Sequence, residues 1–388
     1  MSAARRPLVS VLVPTFNRSV YLGQCLDSLQ VQDFTDYELF IRDNASTDGT
    51  PAVVERFRPA FAGVAGYRYR RNPANVGFRD NMVEGLKECA GKYVLILMDD
   101  DFLLCRTALR SFAEALEHSP RTALAIADYQ EYQEGEEAET VRERVARGRT
   151  RETPAPFTPV PGKDLFLNAW TRYRPLCLSA AMFDREALRA SPWETWTGRA
   201  ALDVNLYHAL AVTHDAALIP EPLVGYRQHG TNDYLNVPLE DCLDSHRCIR
   251  KWHAYARAET DWSRLSLWVW YLKTIALKEE GPLRWLHDQD PGKLAEFLDW
   301  LRAYHRLHYR VVRWLSPQMA RYDYAALAGE PNPLRRGLRR VGLKLRGGLR
   351  RLLLGVDRRL HDRARGRPAP SAPAPSAPSP RGLVEGKP

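Results

Sequence analysis

Residues 93–101 read YVLILMDDD, and Phe102, Leu103 and Leu104 follow at once. Five strand-forming residues and Met98 lead into Asp99, Asp100 and Asp101, so three adjacent carboxylates stand between two apolar runs. Acids held together at the end of a buried strand repel one another and lose hydration, at a cost that a cation or strong hydrogen-bond donors must offset. The triplet alone allows two readings: a polar turn with its charges in water, or a carboxylate cluster that works with a divalent metal. Its setting in the chain separates them.

Upstream, Leu8–Val13 is a continuous apolar run ending at Pro14, the pattern of a strand buried on both faces. Leu22, Cys25, Leu26 and Leu29 recur at helical spacing over 21–29. A second strand, Tyr37–Ile41, runs into DNASTDGT at 43–50, rich in turn and N-cap residues, and Pro51 suits the first turn of a helix. Tyr67–Arg71 reads as a short strand, 72–77 as a loop, Asn81–Cys89 as a helix and Tyr93–Leu97 as the strand before the acids. A helix around 107–118 and a strand around 123–127 come next. Four or five βα units joined by short loops predict an α/β fold, a mostly parallel sheet flanked by helices. Ligands of such sheets bind beyond the carboxyl ends of the strands. Loops Pro14–Arg18, Asp43–Thr50 and Asp99–Asp101 share that edge. Position therefore favours ligand contact for Asp43 and Asn44 over a plain capped turn, while Ser46, Thr47 and Asp48 keep a partly capping role.

A chain of 388 residues holds about two domains, or one large α/β domain with additions. No run approaches the roughly 18–20 apolar residues of a membrane span, and the opening MSAARRPLVSVLVPTFN has no signal-peptide core, so a cytoplasmic location is expected. Six cysteines without a CxxC pair argue against a zinc ribbon or a disulfide framework. The net charge of +9 is unevenly spread: Arg335–Arg367 holds 13 Arg or Lys against Asp357 and Asp362. The body before it is mildly acidic, and one appendage carries the positive charge.

Five ordered stretches now stand out: VSVLVPTFNR at 9–18, IRDNASTDGT at 41–50, NPANVGFRDN at 72–81, GKYVLILMDDD at 91–101 and IPEPLVGYRQHGTN at 219–232. In order and spacing they resemble family 2 glycosyltransferases of the GT-A fold, over roughly residues 7–235. The MDDD form of the acidic motif is similar to that of bacterial enzymes building O-antigen and related surface polysaccharides. The resemblance implies inverting transfer of a sugar from a nucleoside-diphosphate sugar donor to a hydroxyl of a glycan or lipid-linked acceptor. Pro14, Thr15 and Asn17 would line the nucleoside site, Asp43 and Asn44 would contact the base, and Arg79 would approach the base or diphosphate. Position 44 is Asn where many relatives carry a second Asp, so uracil does not follow. Asp99 would face the ribose or donor sugar, Asp100 would bind the metal, and Asp101 would be a second ligand or an orienting group. His229 matches a histidine that reaches metal or diphosphate in relatives; a lone His is otherwise a surface or core residue.

The chemistry accounts for those residue types. A departing nucleoside diphosphate develops charge that Mn²⁺ or Mg²⁺, held by hard carboxylate oxygens, neutralises. The acceptor hydroxyl needs a carboxylate to take its proton during in-line attack on an oxocarbenium-like centre. Asp203 falls where relatives carry the acid of an ED pair at a helix start, with Leu202 in place of the first acid. Its alternative is a helix N-terminal charge favoured by the macrodipole; Glu194 is the second candidate base. Trp193 and Trp196 suit either a sugar face or the aromatic core.

The expected organisation is a GT-A domain over 1–235, with a nucleotide half at 7–130 and an acceptor half at 163–235. A helical extension follows over 236–330, then a basic amphipathic segment over 331–367 and a disordered Pro- and Ser-rich tail over 368–388. Glu131–Gly162 reads as a lid or a tolerated insertion. Between Leu334 and Leu360, apolar residues at three- and four-residue steps alternate with arginines, which suits an anionic membrane surface; a solvated tail is the alternative. The expected place is the inner face of the cell membrane, bound peripherally. Two other classes compete with the enzyme. A sugar-nucleotide-binding scaffold would bind donor without turnover. A nucleic-acid binder is disfavoured because residues 335–367 contain no Phe, Tyr or Trp for base stacking.

Overall fold

The structure is a computed structural model, and it describes residues 6–133, 153–169, 177–196, 202–229, 239–278, 291–316 and 342–348, with residues 283, 319 and 322. Its centre is a nine-stranded sheet in the order β3-β2-β1-β4-β8-β6-β9-β5, with β7 paired to β9. Strands β1 (Val9–Thr15), β2 (Tyr37–Asp43), β3 (Gly66–Arg71) and β4 (Tyr93–Ile96) pair in parallel. All residues of β1, β2 and β4 are buried, including Ser10 and Glu38, whose side chains bond to each other at 2.5 Å. Helices α1 (Ser19–Gln30), α2 (Thr50–Phe57), α3 (Phe78–Glu88) and α4 (Ala108–Glu117) link or cover these strands.

Beyond β4 the sheet becomes mixed. The chain turns at the acids, where Asp101 N donates to Met98 O at 3.0 Å, and enters β5 (Phe102–Leu103), antiparallel to β9 (Asp215–Gln228). Strand β8 (Ala181–Asp184) lies between β4 and β6 (Thr122–Gln133) and runs antiparallel to both, while β6 and β9 are parallel and β7 (Thr158–Val160) is antiparallel to β9. The mostly parallel reading thus holds for the first four strands and gives way to a mixed sheet after them. Its consequence is local: only the reversed direction of β8 brings its head, with Ser179, to the acid turn at the tail of β4.

One face of the sheet packs on α1, α2 and α4. The other packs on α3, α5 (Gly162–Asn168) and α7 (Leu202–Thr213), with α6 (Arg185–Ala190) between α3 and α7 in sequence. On this side lie α8 (Leu239–Glu259), α9 (Arg264–Lys278), α10 (Pro291–Tyr304) and α11 (Arg306–Leu315). Their apolar residues join the same core as the sheet face. Trp252 of α8 stacks on His208 of α7 at 4.4 Å and donates its indole N–H to Asn205 Oδ1 at 2.8 Å, so the buried nitrogen is satisfied. Trp193 and Trp196 are core residues here, 2% and 4% exposed, which leaves no face for a sugar. Within 331–367 only residues 342–348 are described; Leu343 is buried, Leu345 is exposed, and Arg346 lies 4.8 Å from the Trp314 ring. Most of the Glu131–Gly162 excursion lies outside the described residues.

A polar chain crosses the helical layer: His246 Nδ1 and His308 Nδ1 are 3.0 Å apart, and His308 Nε2 meets Tyr271 OH at 2.5 Å. Burial first, then His246, His305 and Arg250, pushes the His308 pKa down to about 2. An unfolded His titrates near 6.5, so this contribution is complete above that pH and is lost as pH falls toward the folded value, by up to about 1.4 kcal/mol per unit. Urea midpoints measured from pH 7 to 5 should therefore fall less steeply in a His308→Gln variant than in the parent; equal slopes would contradict this assignment.

Candidate active site

The carboxyl ends of β1, β2 and β4 meet at one edge. Thr15 pairs with Asp43 in register, Leu97 N donates to Leu12 O at 3.0 Å, and the acid turn follows directly. A cavity of about 900 Å³ opens there, lined by Pro14, Thr15, Asn17, Arg18, Asn44 and Asp99 among others. Its volume suits a nucleotide-sized ligand.

Asp99, Asp100 and Asp101 are 2%, 7% and 1% exposed, so the bland reading of a solvated turn fails. Each acid has its own environment. Arg18 Nη1 lies 2.6 Å from Asp100 Oδ2 and 3.3 Å from Asp99 Oδ1, and His229 Nε2 lies 3.0 Å from the same Asp100 Oδ2. Asp101 accepts from Ser179 Oγ at 2.5 Å through one oxygen and from Arg227 N at 3.1 Å through the other. Arg227, itself 2% exposed, donates Nε to Asp100 O at 2.8 Å and lies over the rings of Tyr21 and Phe102. Burial, reinforced by Asp100, pushes the Asp99 pKa up to about 7 against the lowering effect of Arg18; burial and Asp100 also raise Asp101.

These contacts bear on the metal. Among the described residues no group of three His, Cys, Asp or Glu is arranged to hold an ion by itself. Asp101 has both oxygens on protein donors, which favours the orienting role over the ligand role expected for it. His229 Nε2 meets Asp100 Oδ2 directly, and Asp99 Oδ2 is buried without a hydrogen bond, as is Thr15 Oγ1. Hard oxygens, one imidazole and an unsatisfied carboxylate lone pair fit a cation whose coordination is completed by substrate phosphates. Arg18 holds the oxygen such a cation would take.

The other expected residues fall in three groups. Asn17 lines the cavity with backbone in the left-handed region (φ 53°), where Asn is tolerated; its Oδ1 accepts from Thr47 N at 2.7 Å, stitching the first two loops together. Asp43 is fully buried, with Ser46 N at 2.8 Å on one oxygen and Tyr69 OH at 2.6 Å on the other, so it fixes the loop from inside. Asn44 reaches the cavity wall through a buried amide network. Arg79 turns away, pairing with Asp80 and donating to Glu194 O at 3.0 Å across to the acceptor half.

Asp203 opens α7 and accepts from Val204 N at 2.7 Å. Tyr207, one turn on from Asp203 along the same face of α7, donates its hydroxyl to Cys177 O at 3.0 Å, two residues before the Ser179 that holds Asp101. Arg18, Ser179 and Arg227 were not singled out from the sequence, yet they compensate the triplet. Arg227 had a signal: it stands two residues before His229, hence on the same side of an extended strand.

A parallel αβ half ending in a nucleotide-sized cavity, extended by a mixed sheet that returns Arg227 of β9 to a buried acid turn, defines the GT-A architecture. A family model described as "Glycosyl transferase family 2" matches residues 10–190. Over these residues, just under half of the chain, the protein is similar to glycosyltransferase family 2. It is 37% identical over 101 residues to the GalNAc(5)-diNAcBac-PP-undecaprenol beta-1,3-glucosyltransferase of Campylobacter jejuni, covering 25% of this chain and 31% of that protein. It is also 37% identical over 98 residues to abequosyltransferase RfbV of Salmonella typhimurium, covering 25% and 29%. The chain thus spans less than a third of the length of these curated relatives. Among solved structures, Staphylococcus aureus TarS 1-349 in complex with UDP-GlcNAc superposes with a TM-score of 0.57 over 90% of this chain and 91% of that one; at 15% identity the likeness concerns the fold.

Proposed function

We propose that this protein is an inverting glycosyltransferase that moves a sugar from a nucleoside-diphosphate sugar to a hydroxyl of a glycan or lipid-linked acceptor. The observation that carries this reading is the buried acid turn at the mouth of the cavity, where Arg18 and His229 share one oxygen of Asp100. Mn²⁺ or Mg²⁺, held by Asp100 and His229 with Asp99 beside them, would neutralise charge on the departing diphosphate. Arg18, displaced from Asp100 by the cation, would turn toward the diphosphate while still within reach of Asp99. Asp203 takes the proton of the acceptor hydroxyl as the new C–O bond forms on the face opposite the leaving group; the old C–O bond breaks, and its electron pair leaves with the nucleoside diphosphate. The undecaprenol diphosphate in the name of the Campylobacter relative supports a lipid-linked acceptor.

The test supplies UDP- and GDP-sugars, Mn²⁺ and a lipid-linked acceptor, and reads nucleotide release together with the anomeric configuration of the product by NMR. Transfer with inversion is expected; donor binding without transfer to any acceptor would instead mark a scaffold.

No helix among the described residues is long and apolar enough to cross a membrane. Basic segment 334–367 supplies the proposed contact with anionic lipid, at about 1 kcal/mol for each basic residue near the surface. Full-length protein should pellet with anionic vesicles and lose this in a variant ending at residue 333; equal pelleting of the two would remove the membrane from the account.

A further inference from the structure

Helix α1 presents one face to the acid turn. Arg18 at its N-cap, Tyr21 and Gln24 follow at three-residue steps, so they line one side of the helix. Arg18 reaches Asp99 and Asp100, and Gln24 Oε1 accepts from Arg227 Nη2. Between them the Tyr21 ring meets two side chains of the returning chain. His229 stacks on it with ring centroids 4.9 Å apart and planes 22° from parallel, and the Arg227 guanidinium lies 5.0 Å from its centre. Residues 227 and 229 are two apart on an extended chain and face the same way, so a single aromatic ring backs both.

The consequence differs for the two. Arg227 has anchors of its own: Nε on Asp100 O at 2.8 Å, Nη2 on Gln24, and its backbone N on Asp101 Oδ1 at 3.1 Å. His229 places Nε2 on Asp100 Oδ2 at 3.0 Å, the oxygen proposed for the cation. When that oxygen turns to a cation, the imidazole must keep its tilt while its partner changes. A stacked ring suits this task. The nitrogen lone pair lies in the imidazole plane, so a neighbour on the ring face restricts rotation about χ2 and leaves the ligating edge open.

We infer that Tyr21 is a positioning residue for the divalent cation: its ring holds the His229 imidazole at the angle from which Nε2 meets the metal beside Asp100. The inference rests on the reading of Asp100 and His229 as metal ligands. Groups that orient a metal-binding histidine act on the affinity of the site, by about 10- to 100-fold. Tyr21 does so through its face.

Mn²⁺ binding to the full chain, read by electron paramagnetic resonance with the better-binding of UDP and GDP saturating, tests this independently of turnover. Tyr21→Phe keeps the ring; Tyr21→Leu and Tyr21→Met remove it with side chains that suit a helix. Tyr21 is only half-buried, so all three should fold. The Phe variant should bind Mn²⁺ within about twofold of the parent, and the other two about tenfold more weakly. In a His229→Gln background, where Asp100 still binds the ion, the same ring removals should cost less than about twofold, because the residue they act through is gone. Ring loss that leaves Mn²⁺ affinity unchanged, that weakens it equally in both backgrounds, or that is matched by Tyr21→Phe would overturn the positioning role and leave Tyr21 as packing. A parent that binds no Mn²⁺ with either nucleotide would defeat the metal reading itself, and the inference with it.

Discussion

Asp203→Asn protein should bind nucleoside diphosphates within about twofold of the parent yet turn over about 10²- to 10⁴-fold more slowly, the usual contribution of a positioned general base. The substitution preserves shape and the oxygen that accepts from Val204 N, so the start of α7 should hold. What it removes is a proton acceptor. Single-turnover rates measured with donor and acceptor both saturating separate this from a binding defect. A variant within about threefold of the parent would return Asp203 to the bland role of a helix N-terminal charge, and Glu194, exposed at the 193–195 turn, would then be next to test.

The second large effect is expected at Asp100. Arg18 and His229 converge on its Oδ2, so Asp100→Asn loses the charge that holds both and the oxygen proposed for the cation. Turnover should fall by about 10²- to 10³-fold, in the range found for loss of one preorganised electrostatic partner in a water-poor site. Stimulation by Mn²⁺ should disappear with it. Asp101→Asn makes the informative contrast. Its oxygens serve Ser179 and Arg227, so the main loss should be stability, seen as a lower melting temperature. A variant of Asp100 that keeps its full response to Mn²⁺ would shift the ligand role to Asp99, whose second oxygen is buried and unbonded.

What could be read from the sequence was the part governed by local pattern. Short apolar stretches gave β1, β2 and β4, and turn residues at their ends gave the ligand edge. Residue spacing cannot say which distant charges meet. Arg18 sits in a quoted motif, yet its partners lie 81 and 82 residues on, and Arg227 reaches the acids across more than a hundred. Strand β5 has only two residues, too few to display a period, and the antiparallel placing of β8 depends on long-range pairing with β4 and β6. Trp193 and Trp196 illustrate the remaining ambiguity: an aromatic pair before a candidate acceptor helix looks the same in sequence whether it meets a sugar or the core. Asp43 and Asn44 fall where expected, but buried partners absorb most of their hydrogen-bonding capacity.

The central claim is that the cavity beside the acid turn holds a nucleoside diphosphate together with a divalent cation. Thermal melting of the intact protein with UDP and GDP, each with and without Mn²⁺, tests it most directly, because a ligand that binds only the folded state raises its apparent stability. One of the two nucleotides should raise the melting temperature in the presence of Mn²⁺ and do so much less without it, with the gain abolished by Asp100→Asn. No stabilisation by either nucleotide, with or without the metal, would contradict the claim.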